Sequence, residues 1–187
     1  KAYAPYVDFC SASLAAFGTV LAILERLKSG KGQRVQTSLL TTALTMTNSL
    51  VIEEKLTNVN RSATLNRSQT SAPADTFKTK DGWILITTVG QPLFERWCDL
   101  IGETEWLQDE RFKDDISRGN NGQLISNRMA HWCGERTTEE AIAELDNARI
   151  PVGEILKAAD TLNHSQIKSR RLFKSVAYPG NETEVPI

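Results

Sequence analysis

Side chains suited to metal or redox chemistry are scarce in this sequence. Its three cysteines, Cys10, Cys98 and Cys133, lie far apart with no CxxC pair. Its two histidines, His131 and His164, sit at ligand spacing neither to each other nor to a cysteine. No zinc framework follows from such spacing; the pattern implies reduced thiols, and no metal is expected. HExxH, G-x-S-x-G and a phosphate-cradling GxxxxGK[ST] are absent too, so metalloprotease, serine-hydrolase and P-loop chemistries find no support. No one sign of charge dominates: 22 Lys and Arg against 23 Asp and Glu leave a net charge of −1. That balance gives no sustained positive field for nucleic acid or anionic membrane. No stretch reaches the roughly 18 clean apolar residues of a membrane span. The run "SASLAAFGTVLAIL" has Asp8 before it and "ERLKSGKGQ" after it, where a signal peptide would carry a small-residue cleavage site. A soluble, cytoplasmic protein binding neither nucleic acid nor membrane is the expectation. The first residue, Lys1, suggests a fragment or processed chain.

What is present is enough apolar residue, 40% of 187, to bury a core in one large domain or two lobes. Phe17, Val20, Leu21, Leu24 and Leu27 recur at helical spacing, predicting a helix over 9–28 that Gly30 and Gly32 stop. "RVQTS" alternates as a short strand, with Val35 and Thr37 on one face, and Ser38 can cap a helix over 39–56. From Asn58 to Ala74 the chain turns polar and loses periodicity, which marks a linker. The expected organisation is therefore 1–57, a linker at 58–74, and a second lobe at 75–187.

The second lobe reads as α+β. "DTFKTK" and "WILITTV" flank Asp81-Gly82, a two-residue hairpin signal. Pro92 opens a helix carrying Leu93, Phe94, Trp97 and Ile101, and Gly102 ends it. A further helix is predicted over about 120–133, with "NNGQ" as turn chemistry at its head. Thr137 to Glu140 has capping-box spacing for another helix, bearing Ile142 and Leu145 and stopping by Pro151. "PVGEI" and "LFKSVAY" are predicted as short strands.

Individual polar residues mostly have a plain reading. His131, between Ala130 and Trp132, suits helix packing or surface, and His164 suits a loop or helix start. Glu53-Glu54 and Asp114-Asp115 read as solvated pairs. Asp8, in "APYVDFC", stands apart because it heads the long apolar segment 22 residues before "GKGQ". It suits a helix N-cap, where the helix dipole favours an ionised carboxylate. The same placement suits a carboxylate nucleophile, which must be ionised and held still. Spacing leaves both open.

Asp8, Gly18 and "LERLKSGKGQRVQTSLL" together resemble the signature of the class III CoA-transferases, the group that includes formyl-CoA and carnitine CoA-transferases. Ser29 stands where the family's turn has Thr, and Arg34 and Gln36 occupy variable positions. "TKDGWILIT", "FERWCDLIG", "LQDERF", "ARIPVGEI" and "SRRLF" follow in the family's order. The resemblance implies the end of a Rossmann-like α/β catalytic lobe, then a small α+β lobe with an antiparallel hairpin and several helices. It implies a chain lacking the N-terminal CoA-binding lobe, with activity of the chain alone left open, and an interlocked homodimer. It makes Asp8 the nucleophile that attacks an acyl-CoA thioester and carries CoA to a carboxylic acid acceptor, with CoA as co-substrate. The family's formyl-CoA branch has a glycine-rich loop ahead of the hairpin; here "NRSQTSAPA" has no glycine. Asn66, Arg67, Ser68 and Gln69 would take its place as CoA-binding candidates, against the plainer reading of a solvated linker.

Two other readings share these residues. In an α-methylacyl-CoA racemase relative, an Asp and a His exchange the proton α to the thioester carbonyl; neither His131 nor His164 matches the place of that His. Alternatively the chain is a detached folding or dimerisation module without catalytic activity, as the CoA-binding lobe absent from it would allow; separately, the apolar helices at 9–28 and 39–56 would leave uncovered faces, which predicts association.

Overall fold

The structure is a computed structural model that describes residues 4–180 and 182–187. The chain divides into two compact units, the first ending at Ala63 and the second running Thr64–Ile187.

The first unit is helical. α1 spans Tyr6–Ser29 and ends where Gly30 takes the left-handed conformation, φ 72°. Pro5 holds the N-cap position, so the helix starts earlier than the periodicity implied, and Asp8 lies within the first turn. The N-cap reading of Asp8 is therefore corrected: a proline with its fixed φ takes that role. The apolar residues read from the periodicity form an uncovered face, as expected for these helices: Phe17, Val20, Leu21, Leu24 and Leu27 are exposed, and Val7, Ser11, Ala15, Gly18 and Ala22 form the covered stripe. Small side chains permit close approach: a Cβ on Gly18 would meet Val35 Cγ1 at 3.0 Å. By length and composition α1 would also pass for a membrane span, because Ser, Thr and Gly interrupt its apolar run without making it polar.

Residues 31–38 carry no strand. An alternating pattern needs a neighbouring strand to satisfy its backbone, and no described segment pairs with Val35–Thr37. Ser38 does cap the next helix, its Oγ accepting from Thr41 N at 3.1 Å. The predicted helix 39–56 is two helices, α2 Leu39–Met46 and α3 Asn48–Thr57, broken at Thr47. Thr45 and Thr47 donate their hydroxyls to the Thr41 and Ala43 carbonyls, back-bonding that bends a helix. Glu53 and Glu54 are not simply solvated. Glu53 makes a bidentate pair with Arg61 at 2.6 and 2.7 Å, which lowers its carboxyl pKa, and Glu54 accepts from Asn60 N at 2.7 Å.

The second unit is mixed. β1 (Ala74–Lys78), β2 (Trp83–Thr87) and β3 (Val152–Glu154) form one antiparallel sheet in that order, with Thr76 opposite Leu85 and Leu85 opposite Gly153. Period-2 alternation buries Ile84 and Ile86 and leaves Trp83 and Leu85 outside. Against the inner face pack α4 (Gln91–Ile101), α6 (Gly122–Gly134) and α7 (Thr138–Asn147), which contribute Phe94, Trp97, Ile125, Met129, Trp132 and Leu145 to the core. α5 (Asp115–Asn120) precedes α6, which is why the predicted 120–133 helix begins only at Gly122. Two 3-10 turns, Thr104–Gln108 and Glu110–Phe112, bring Trp106 and Phe112 into stacked contact. The unit closes with α8 (Ala158–Asn163), α9 (Ser165–Ser169) and the two-residue strands β4 (Ser175–Val176) and β5 (Val185–Pro186). "LFKSVAY" thus contributes a strand much shorter than predicted.

The hairpin connection also differs. It is four residues, Thr79–Gly82, closed by Thr79 N to Gly82 O at 3.0 Å, and Gly82 has no positive φ. Glycine is needed there for space, since a Cβ would lie 2.7 Å from Thr138 Oγ1. Asp81 reaches across to the start of α7, accepting from Thr138 N and Oγ1, each at 2.8 Å. Those bonds lower the Asp81 pKa. A depressed folded-state pKa adds stability above the unfolded value that is lost as pH falls through the folded one. The thermal midpoint gap between the native protein and Asp81→Asn should therefore be widest near neutrality and narrow below about pH 4. A gap constant with pH would show that the ionised carboxylate adds nothing.

Candidate functional site

Asp8 occupies the first turn of α1, where unpaired backbone N–H groups make a positive pole. Its side chain is exposed, and among the described residues none donates a hydrogen bond to it. The turn beneath it is anchored. Ser11, one turn further on, is buried, and its Oγ lies 2.8 Å from the Val7 carbonyl and 2.8 Å from Thr42 Oγ1 of α2. An accessible carboxylate on a held helix turn can act as a nucleophile toward an activated acyl group.

Asn66–Gln69 belong to the second unit, so the structure does not place the two sets of candidates in one compact body. Asn66 Nδ2 donates to Thr76 Oγ1 at 3.0 Å, and Arg67 Nη1 donates to Gly119 O at 3.4 Å. Ser68 N donates to Ala74 O at 2.8 Å, and Ser71, Ala72, Pro73 and Ala74 are buried. The Gln69 carbonyl sits where a Cβ on Gly119 would be, at 2.3 Å, and Arg67 Nη1 lies 2.8 Å from the corresponding point on Gly122. This stretch is packed on the α5–α6 junction. Gly119→Ala should destabilise the second unit by at least about 2 kcal/mol, because the clash is with backbone that has nowhere to go. Denaturant unfolding followed by tryptophan fluorescence checks it, and a change under about 0.5 kcal/mol would mean the loop yields freely.

Other groups with chemical potential are accounted for. Burial pushes the Cys98 and Cys133 thiols up to about 12, so neither supplies a thiolate near neutrality. His131 Nε2 faces Glu135 Oε1 at 3.6 Å on an exposed helix surface. His164 sits between α8 and α9, its Nδ1 buried and without a hydrogen-bond partner among the described residues. Among the described residues no three His, Cys, Asp or Glu side chains converge as a metal site would require. Asp114 and Asp115, read as solvated, are both engaged: Asp114 caps α5 through Ser117 N at 2.7 Å, and Asp115 accepts from Gly90 N at 2.8 Å and pairs with Arg118 at 2.8 Å. Sequence reasoning missed Ser11, Thr42, Gly119 and Arg118. Glycine in the short polar stretch "SRGNNG" and a serine in the apolar run of α1 were the available signals.

The model of CoA-transferase family III matches residues 1–187. Succinyl-CoA–D-citramalate CoA-transferase of Chloroflexus aurantiacus is 28% identical over 173 residues, 92% of this chain and 43% of that protein. Acetyl-CoA:oxalate CoA-transferase of Acetobacter aceti is 26% identical over 181 residues, 95% of this chain and 46% of that protein. The chain thus spans less than half the length of these curated relatives. Among solved structures, Rv3272 from M. tuberculosis superposes with a TM-score of 0.76 at 19% identity, covering 100% of this chain and 48% of that one. A CAIB/BAIF family protein from Brucella suis gives 0.72 at 19%, covering 99% and 51%. The mixed helix and antiparallel-sheet architecture is shared with both. The chain belongs to CoA-transferase family III.

Proposed function

We propose that this chain carries the nucleophile of an enzyme that moves CoA from an acyl-CoA donor to a carboxylic acid acceptor, and that the nucleophile is Asp8. The observation that carries this reading is an accessible carboxylate on the first turn of α1, in a chain matched end to end by a CoA-transferase family. The Asp8 carboxylate adds to the thioester carbonyl, the C–S bond breaks, and CoA leaves as the thiolate from a mixed anhydride. The thiolate then attacks the aspartyl carbonyl, releasing the donor acid and leaving an aspartyl-CoA thioester. The acceptor carboxylate repeats the two steps in reverse order and departs as the new acyl-CoA, restoring Asp8. Covalent capture on Asp8 divides one difficult exchange into easier ones. The first unit would be the end of the catalytic lobe and the second the small lobe.

Hydroxylamine is the test. Added to the protein with acyl-CoA, it should convert acylated Asp8 to the hydroxamate, located by peptide mass spectrometry. Steady CoA transfer with an unmodified Asp8 removes this reading. Deuterium entering the α-carbon of the acyl group without CoA transfer would favour the racemase instead. The exposed apolar residues of α1, Phe9, Phe17, Leu21 and Leu24 among them, support association of two copies. Sedimentation of the protein as a monomer would remove that part.

A further inference from the structure

α1 and α2 each bury one residue, and both are hydroxyl side chains, Ser11 and Thr42. A buried polar pair inside an otherwise apolar contact is more informative than a buried leucine, because it is satisfied in one arrangement only. Ser11 Oγ lies 2.8 Å from Val7 O and 2.8 Å from Thr42 Oγ1. Ser11 has a single hydroxyl proton, which it shares between the Val7 carbonyl and Thr42 Oγ1, so Thr42 supplies the acceptor that ties this turn to α2. The chain of bonds runs from α2 into the peptide that joins Val7 to Asp8. Apart from Cys10, the other partly covered positions of α1 are alanine, glycine and valine, which set distance but not rotation.

We propose that Thr42 and Ser11 are positioning residues for the Asp8 carboxylate, fixing the rotation of the first turn of α1 against α2. The inference rests on Asp8 being the nucleophile. A carboxylate at the end of a helix turn moves with every degree of rotation about the helix axis, and misplacement of a reacting group by about 1 Å costs on the order of 100-fold in rate. Thr42→Val keeps the shape of the side chain and removes the oxygen that accepts from Ser11. Thr42→Ser keeps the hydroxyl oxygen and trims one methyl.

The experiment measures single-turnover formation of the hydroxylamine-trapped Asp8 adduct in the full protein, alongside KM and the thermal midpoint. Thr42→Val should slow adduct formation about tenfold or more with KM little changed, and Thr42→Ser should restore it. Thr45→Val is the control, since among the described residues the Thr45 hydroxyl bonds the Thr41 carbonyl of its own helix and not Ser11; it should leave the adduct rate as it was. Should Thr42→Val fail to fold, Ser11→Ala carries the same expectation. A native protein that forms no adduct overturns the nucleophile reading and this inference with it. A native protein that forms the adduct while Thr42→Val and Ser11→Ala form it equally fast overturns only the positioning role, as does a rate that falls in step with the thermal midpoint in Thr45→Val too.

Discussion

Asp8→Asn should reduce CoA transfer by on the order of 10³- to 10⁶-fold, the range seen when an enzyme loses its covalent nucleophile. The substitution is nearly isosteric on an exposed side chain in the first turn of α1, so the fold has little reason to change. An amide oxygen is a poor nucleophile toward a thioester, and the amide cannot form the anhydride that releases CoA. The loss should appear in kcat, with acyl-CoA still binding, because Asp8 is asked to act on the reacting carbonyl and not to hold the cofactor. Asp8→Ala should behave alike. Steady-state transfer assays on the purified protein decide the matter. Retention of more than a tenth of native kcat in both variants would move the nucleophile elsewhere, and a rise in KM alone would make Asp8 a binding group.

The reason Asp8 drew notice lay in the sequence, but the reason it matters did not. Its place ahead of an apolar segment was visible. Pro5 takes the cap, so the local role read from composition is off by one helical turn, and the chemical role proposed for Asp8 rests on resemblance. Features set by adjacent residues were legible. The Thr137–Glu140 capping box closes in both directions, at 3.2 and 2.8 Å, Gly102 ends α4 in the left-handed conformation, and β2 alternates as written. Features set by distant neighbours were not. Periodicity groups Phe17, Val20 and Leu24 on one side of α1, yet it is silent about which side has a neighbour; the small residues that admit close packing held that information. Gly82 looked like a turn glycine and is a clearance glycine under Thr138. The candidate loop is polar in sequence, but its tail is buried because Gly119 and Gly122, some fifty residues on, leave room for it.

Asp115→Ala should destabilise the second unit by about 3 kcal/mol, the lower end for breaking a buried ion pair. Arg118 is 1% exposed and has four distinct partners: Asp115 Oδ1 at 2.8 Å, the Phe112 carbonyl at 2.8 Å, Gln91 Oε1, and the Phe94 ring 4.2 Å beneath the guanidinium carbon. Asp115 is the carboxylate that pairs directly with this guanidinium, and it also accepts the Gly90 N–H at the head of α4. Removing it leaves a desolvated cation and an unpaired backbone donor together. The lower end is chosen because the Asp115 side chain is 29% exposed, so water reaches part of the vacated site. Arg118→Met should cost less, since Asp115 can then turn to solvent and methionine fills the space over Phe94. The double variant should be more stable than Asp115→Ala alone, because the charge left stranded by one change is removed by the other. All four tryptophans lie in this unit, so their fluorescence reports its unfolding in denaturant. Single losses that simply add in the double variant would show that the two side chains do not act as a pair, and that α4 and α5 are held together by their apolar contacts alone.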